Sequence, residues 1–274
     1  MRCFICGKNH FQIIYRLKTK NILRCNNDGL YLGEATTLHK NNVYQKDYFS
    51  NPPHPPKSNQ SYFLNKLATI KLATRNQKPY ILDVGCGWGD FEEVLEKEKI
   101  PYLGIDTSQE AVKICQEKGL NCKLSIFQQL AINNQQLFSA ITMFQVIEHL
   151  KNPIPTLQVA KKLLKKNGVI LITTPNNDSP LRKIFGPRWS VYSEPSHFVF
   201  FNKQTLEKTL QLAGFNRIEV KSDSWRFLSS KYVFSRVMNM YSISSLTTIC
   251  KLLTTFSVPL PTDPFGDLET IAST

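Results

Sequence analysis

Three groups of residues in this chain have the types and spacing to do chemistry. The first is Ile81-Leu82-Asp83-Val84-Gly85-Cys86-Gly87-Trp88-Gly89-Asp90, followed by Phe91-Glu92-Glu93-Val94-Leu95. A short buried strand, a glycine turn and a helix are the succession that cradles a nucleotide-like cofactor. Glycine lets the backbone bend sharply and lets a ligand approach with no Cβ in the way. The dinucleotide spacing G-x-G-x-x-G would need glycine at position 90, where Asp90 stands. The chain offers Gly85-x-Gly87-x-Gly89 instead, preceded by the acid Asp83. A second acid, Asp106, ends Tyr102-Leu103-Gly104-Ile105 and comes 23 residues after Asp83. That is close to the ~20 residues expected before a ribose-binding carboxylate.

The second group is Gln145, Glu148 and His149 in Phe144-Gln145-Val146-Ile147-Glu148-His149-Leu150, with His197 in Glu194-Pro195-Ser196-His197-Phe198. In a doubly wound sheet, ligands bind at the carboxyl ends of the strands. Both loops open on that edge, so the two histidines can converge. A neutral imidazole near working pH can remove a hydroxyl proton. The plainer reading has Glu148 and His149 capping a turn. The third group is Cys3-x-x-Cys6 with Cys25 and Asp28. Two C-x-x-C knuckles would make a zinc ribbon, and here aspartate holds the fourth place, with His10 as a competitor. A Cys₃Asp zinc site and a degenerate module without metal both stay open.

The glycine turn with its two acids resembles motif I of class I S-adenosylmethionine (SAM) dependent methyltransferases. The resemblance implies a fold and a ligand map. The fold is α/β, Rossmann-like, with a seven-stranded, mostly parallel sheet whose last strand is antiparallel. Asp83, Gly85, Cys86 and Gly87 would shape the methionine pocket and Asp106 would hold the ribose, with Gly89 and Thr107 also in the cofactor site. Ile126 and Phe127 would meet the adenine, and Phe144 and Gln145 would close the site. Gln145-x-x-Glu148-His149 is similar to the E-x-x-E-H of ubiquinone-type O-methyltransferases and small-RNA 2′-O-methyltransferases, whose carboxylates and histidines hold a divalent ion. With glutamine at position 145, a catalytic or acceptor-orienting role for Glu148, His149 or His197 is expected without commitment to a metal. The N-terminal cysteines are similar to the zinc module that precedes the catalytic domain in sugar C-methyltransferases.

The elements that must position these groups are legible in the pattern. Strands are expected at 80–84, 102–106, 121–125, 138–144, 169–174 and 215–221. Helices are expected at 61–74, 91–98, 109–118, 154–164 and 204–213. Asp90 and Glu93 sit at capping-box spacing, and Lys165-Lys166 suit the negative end of the helix before them. Leu268-Glu269-Thr270-Ile271-Ala272 is the candidate antiparallel strand. Alternating βα units imply helices on both faces of a parallel sheet. The domain reading is a zinc-ribbon-like module over 1–49, a proline-rich linker over 50–61 and a SAM-dependent methyltransferase domain over 62–274. The apolar insertion 226–262 reads as a helical cap over the acceptor pocket or as an amphipathic surface that meets lipid.

Composition narrows the partners. The chain has 274 residues and carries a net charge of +13, and its 42% hydrophobic content excludes a disordered chain. No apolar run approaches the ~18 residues of a membrane helix, and the first residues lack a signal-peptide core, so a cytoplasmic location is expected. Seven scattered cysteines suit reduced thiols. Residues 1–79 hold 13 Lys and Arg against 3 Asp and Glu. Such a field suits an anionic partner or a plain solvated surface. The expected acceptor is a small molecule, a sugar or a lipid-linked glycan precursor, methylated on oxygen or carbon. RNA is the alternative, without the aromatic-basic interleaving that stacks single strands. A non-catalytic SAM-binding protein is the third reading.

Overall fold

The structure is a computed structural model, which describes residues 1–36, 59–75, 79–127, 129, 137–223 and 266–274, and the backbone alone at 227–229 and 257–259. The chain opens with an antiparallel meander: β1 (Phe11–Arg16), β2 (Lys20–Cys25) and β3 (Tyr31–Ala35). Helix α1 (Gln60–Ala73) leads to β4 (Ile81–Val84), the glycine turn and α2 (Asp90–Lys97). Then come β5 (Tyr102–Asp106), α3 (Gln109–Glu117), β6 (Cys122–Leu124) and β7 (Phe138–Phe144). Helix α4 (Ile154–Leu163) runs into β8 (Leu164–Pro175). Two short helices, α5 (Pro180–Phe185) and α6 (Ser190–Ser193), precede β9 (Val199–Phe200). Helix α7 (Lys203–Leu212) and β10 (Arg217–Ser222) follow. A two-stranded antiparallel ribbon joins β11 (Phe227–Ser229) to β12 (Ser257–Pro259), and β13 (Asp267–Ser273) closes the chain.

Seven strands form one sheet in the order β10-β13-β8-β7-β4-β5-β6. The pairs β8-β7, β7-β4, β4-β5 and β5-β6 are parallel, and β13 lies antiparallel between β8 and β10. The central strands read as continuous apolar runs because both faces are covered: all four residues of β4 are buried, as are Gly168–Pro175 of β8. Helix α7 starts with a reciprocal cap, in which Asn202 Oδ1 accepts from the Thr205 N–H at 2.9 Å and Thr205 Oγ1 accepts from the Asn202 N–H at 3.0 Å.

The N-terminal meander takes a fourth strand from the core. β9 pairs with β3, so the sheet runs β1-β2-β3-β9. Cys3, Cys25, Leu30 and Leu32 share one buried cluster with residues of β4, β7 and β8.

Four expectations need correction. The capping box at Asp90 and Glu93 does not form: Gly89, with φ of 79°, is the residue that enters the helix, and no side chain caps it. Lys165 and Lys166 do not close a helix, because α4 ends at Leu163 and the chain turns directly into β8, where Leu164 pairs with Phe138. Gln60 and Ser61, read as linker, are already helical. The two ends of the segment expected to be a helical cap form the β11-β12 ribbon. The rest of that cap and linker positions 50–58 lie outside the described residues.

Candidate active site

Two turns of the chain meet at the carboxyl edge of the sheet, where β7, β4 and β5 end side by side. The glycine turn after β4 is held from below. Gly85 has φ of 85°, and a Cβ there would fall 2.6 Å from Val146 Cγ2 of the turn after β7. Gly89 is equally constrained, since its Cβ would meet Leu120 Cδ1 at 2.6 Å. Above Gly87 the space is open, and a Cβ there would meet nothing nearer than the Gly85 carbonyl oxygen at 3.9 Å. Asp106 ends β5 with Oδ2 accepting from the Gly87 N–H at 3.1 Å and Oδ1 from the Ser108 N–H at 2.8 Å. Burial raises its carboxyl, against the pull of those N–H groups.

The other cofactor candidates separate by exposure. Asp83 is 2% exposed, beneath the turn, and accepts from the Thr142 hydroxyl. Burial pushes its carboxyl up to about 6. The Cys86 thiol is buried and faces Cys115. Thr107 is exposed at the strand end. Ile126 is 52% exposed, while Phe127 is buried in the core. Phe144 is half-buried against Phe91 and Phe63, with ring centroids 5.1 and 5.4 Å away. Gln145, with φ of 57°, turns its amide to donate to Asp267 Oδ2 at 2.8 Å.

Glu148, His149 and His197 come together, their ligand atoms all within 4.8 Å of one another. The imidazole centroids are 4.7 Å apart, edge to face. Glu148 is buried and accepts from the Thr174 hydroxyl at 3.0 Å. His149 Nδ1 lies 3.1 Å from the Ser196 carbonyl oxygen, and His197 Nδ1 lies 3.1 Å from that of Val191. A carbonyl only accepts, so each Nδ1 carries its proton in that bond, and the Gln145 backbone also bonds the His149 ring. Burial lowers the pKa of His149 below the ordinary 6.5.

The loop that carries His197 is fastened by the N-terminal sheet. Lys20, buried on β2, donates to the carbonyl of Glu194 and, at 3.0 Å, to that of His197. Burial lowers the pKa of Lys20 to about 8. Gly33 of β3 is needed there, because a Cβ would come within 3.0 Å of the His197 carbonyl oxygen. Trp189 and Tyr192 anchor the same loop by packing with Ile22 and Phe200. Hydrogen bonds from a charged donor contribute about 1.5–3 kcal/mol. Lys20→Met should therefore destabilise the protein by about 2 kcal/mol in a urea melt and raise proteolysis of the 186–198 loop. A variant with unchanged melting and cleavage would refute the clamp.

The N-terminal cluster also closes. Cys3 and Cys25 Sγ lie 3.0 and 3.3 Å from Asp28 Oδ2, and Cys6 Sγ lies 3.6 Å from Cys25 Sγ. The four ligand atoms are within 4.8 Å of one another. Cys25–Gly29 and Cys3–Gly7 form tight turns, through Gly29 N–H to Cys25 O at 3.0 Å and Gly7 N–H to Cys3 O at 2.8 Å. His10 is exposed. Bonds from the thiols and the Leu30 N–H hold the Asp28 carboxyl below its usual value despite burial. Three thiols and one carboxylate fit a tetrahedral zinc ion.

Residues 58–220 match the family described as "Methyltransferase domain". The chain belongs to that family. SAM is the cofactor of these methyltransferases. A ubiquinone biosynthesis O-methyltransferase of Haemophilus ducreyi is 30% identical over 106 residues, which cover 35% of this chain and 45% of the relative. Another, of Pelagibacter ubique, is 25% identical over 164 residues, covering 53% and 68%. The chain spans about half the length of the first curated relatives it matches, 45% and 46%. Among solved structures, a SAM dependent methyltransferase from Archaeoglobus fulgidus superposes with a TM-score of 0.54 at 21% identity, covering 78% of this chain and 94% of that one. The cyclopropane synthase MmaA2 from Mycobacterium tuberculosis gives 0.52 at 16% identity, covering 84% and 94%. These likenesses establish the class I methyltransferase fold. No helix among the described residues is long and apolar enough to cross a membrane.

Sequence reasoning missed Asp267, Thr174 and Lys20. Asp267 and Lys20 lie 122 and 177 residues from the partners they hold, Gln145 and the carbonyl of His197. No local pattern marks such pairs.

Proposed function

We propose that this chain transfers the SAM methyl group to a hydroxyl of a small acceptor seated beside Glu148, His149 and His197. The observation that carries the reading is the convergence of two imidazoles and one buried carboxylate within 4.8 Å, in and beside the turn that Gln145 opens after β7. SAM supplies a methyl already activated on a sulfonium. The protein then has to align donor and acceptor and take a proton. Asp106 would hold the ribose hydroxyls, and the open face of Gly87 would admit the methionine end. Ile126, 52% exposed beside the end of β6, would cover the adenine. His149, kept neutral by burial, would accept the hydroxyl proton. His197 would orient the acceptor, and Glu148 would steady the pair. The relatives named ubiquinone biosynthesis O-methyltransferases support a small-molecule hydroxyl as the acceptor class.

A second reading puts a divalent ion on the same three groups, favoured by the donor set itself. Two imidazoles and one carboxylate suit zinc, manganese or iron(II) better than magnesium. At the N-terminus, zinc on Cys3, Cys6, Cys25 and Asp28 would brace the sheet that clamps the His197 loop.

Incubation with radiolabelled SAM and a panel of small hydroxylated acceptors tests the proposal, with and without a chelator. Methyl ethers among the products are the expected result. Label only on carbon, nitrogen or RNA would overturn the hydroxyl assignment. Loss of turnover on chelation, restored by one divalent ion, would select the metal reading. The direction of the His149 shift sets the pH profile. The base is neutral above its pKa, so kcat/KM should rise with pH to a plateau, with the midpoint of the rise below the ordinary imidazole value of 6.5. An acid limb centred above 6.5 would exclude His149 as the base.

A further inference from the structure

Behind the glycine turn lies a group of side chains that the proposed reaction does not use. Cys86 in the turn, Cys115 on α3 and Cys122 at the start of β6 are buried free thiols. Their sulfurs all lie within 4.8 Å of one another, with Cys86 and Cys115 3.9 Å apart. Ligands at ~2.3 Å around a tetrahedral zinc ion put neighbouring sulfurs about 3.8 Å apart. An apolar core would be served by alanine or valine at these positions.

The second observation is Glu92 on α2. Its side chain is fully buried beside the Asp83 carboxyl, and burial and that acid raise its own pKa. Two carboxyls buried side by side must share a proton or meet a cation, and a cation on the sulfurs would let Glu92 release its proton. Gly104 on β5 shows how close it stands to the sulfurs. A Cβ on Gly104 would fall 2.8 Å from Glu92 Oε1, 2.7 Å from Cys122 Sγ and 3.1 Å from Cys86 Cβ. Glycine at position 104 therefore keeps open the space between the carboxylate and the sulfurs.

We propose that Cys86, Cys115 and Cys122, with Glu92 as the fourth ligand, form a second zinc site directly beneath the cofactor turn. Three thiolates and one carboxylate select zinc, or its thiophilic analogue cadmium, over the harder magnesium and calcium ions. Binding releases the thiol protons to solvent. The ion ties the SAM-binding turn to α3 and β6 through Cys86, and Cys115 Sγ already sits 3.5 Å from the Gly87 carbonyl oxygen.

Titration of the full, metal-stripped and reduced chain with Cd²⁺, followed by thiolate-to-cadmium absorbance, tests the site separately from the N-terminal cluster. The Cys115→Ser/Cys122→Ser variant should take up one equivalent fewer than the unaltered chain. Gly104→Ala should do the same with every thiol in place, because its methyl group fills the space. Cys25→Ser should remove only the other equivalent. Unchanged stoichiometry in the folded double variant would overturn the proposal. A crystal of the unaltered chain soaked in Cd²⁺ needs no variant: an anomalous peak bonded to all three sulfurs is expected, and none there would equally overturn it.

Discussion

His149→Ala should lower kcat by about 10²–10⁴-fold, the range set by loss of a positioned general base, and His197→Ala should lower it as well, through loss of acceptor orientation. The His149 loss corresponds to about 3–5 kcal/mol on the barrier. SAM affinity should stay within about twofold, because neither imidazole belongs to the glycine turn or to Asp106. Calorimetry with S-adenosylhomocysteine measures the second quantity and single-turnover methyl transfer the first. Turnover retained in both variants would remove the histidines from the chemistry. Affinity and turnover falling together would make the pair a structural buttress of the β7 turn. His149→Gln provides a control, because its amide can still donate toward the Ser196 carbonyl but supplies no base.

The central strands and the cofactor turn were legible because their signals are local. Val169–Thr174 has no polar break before its threonines, and the acid-glycine spacing from Asp83 to Gly89 belongs to one strand-turn-helix unit. The errors came where a longer-range force outranks a local one. Asp90 and Glu93 have the spacing of a cap, but the left-handed Gly89 fixes the entry to α2 before either side chain can act. Lys165 and Lys166 suit a helix end, yet pairing of Leu164 with Phe138 draws the chain into β8. The two-residue strand β9 is too short to leave a pattern, and it forms because β3 offers it an edge. The same limit hid the site's supports. Gln145 looked like a missing carboxylate, and only the antiparallel return of β13 shows an acid, Asp267, bonded to its amide. Cys86, Cys115 and Cys122 are scattered in sequence and meet only when β5 and β6 align.

Lys66→Ala should be among the most destabilising single changes, at about 3–5 kcal/mol, because it would leave two buried acids without their cation. Lys66 lies on α1 at 1% exposure and bonds both Asp223, at the end of β10, and Glu269 on β13. Tyr62 completes the group by donating to Asp223 Oδ2 at 2.7 Å, and the Lys66 ammonium lies 4.5 Å from the centre of the Tyr62 ring. Lys221 also reaches Glu269 Oε1, at 3.0 Å, but its side chain is half exposed and contributes little. The cluster fixes α1 against the one antiparallel strand of the main sheet. From α1, Phe63 packs on Phe91 and Phe144 beside the cofactor turn, and from β13, Asp267 holds Gln145. Loss of Lys66 should therefore weaken SAM binding as well as stability, although the residue touches neither the turn nor the histidines. Urea melts and calorimetry with SAM give both quantities. A triple variant, Lys66→Met with Asp223→Asn and Glu269→Gln, should recover much of the stability, because no buried charge is then left unpaired. A cost below about 1 kcal/mol for Lys66→Ala, in the range of an exposed ion pair, would show that the cluster does not hold the helix to the sheet.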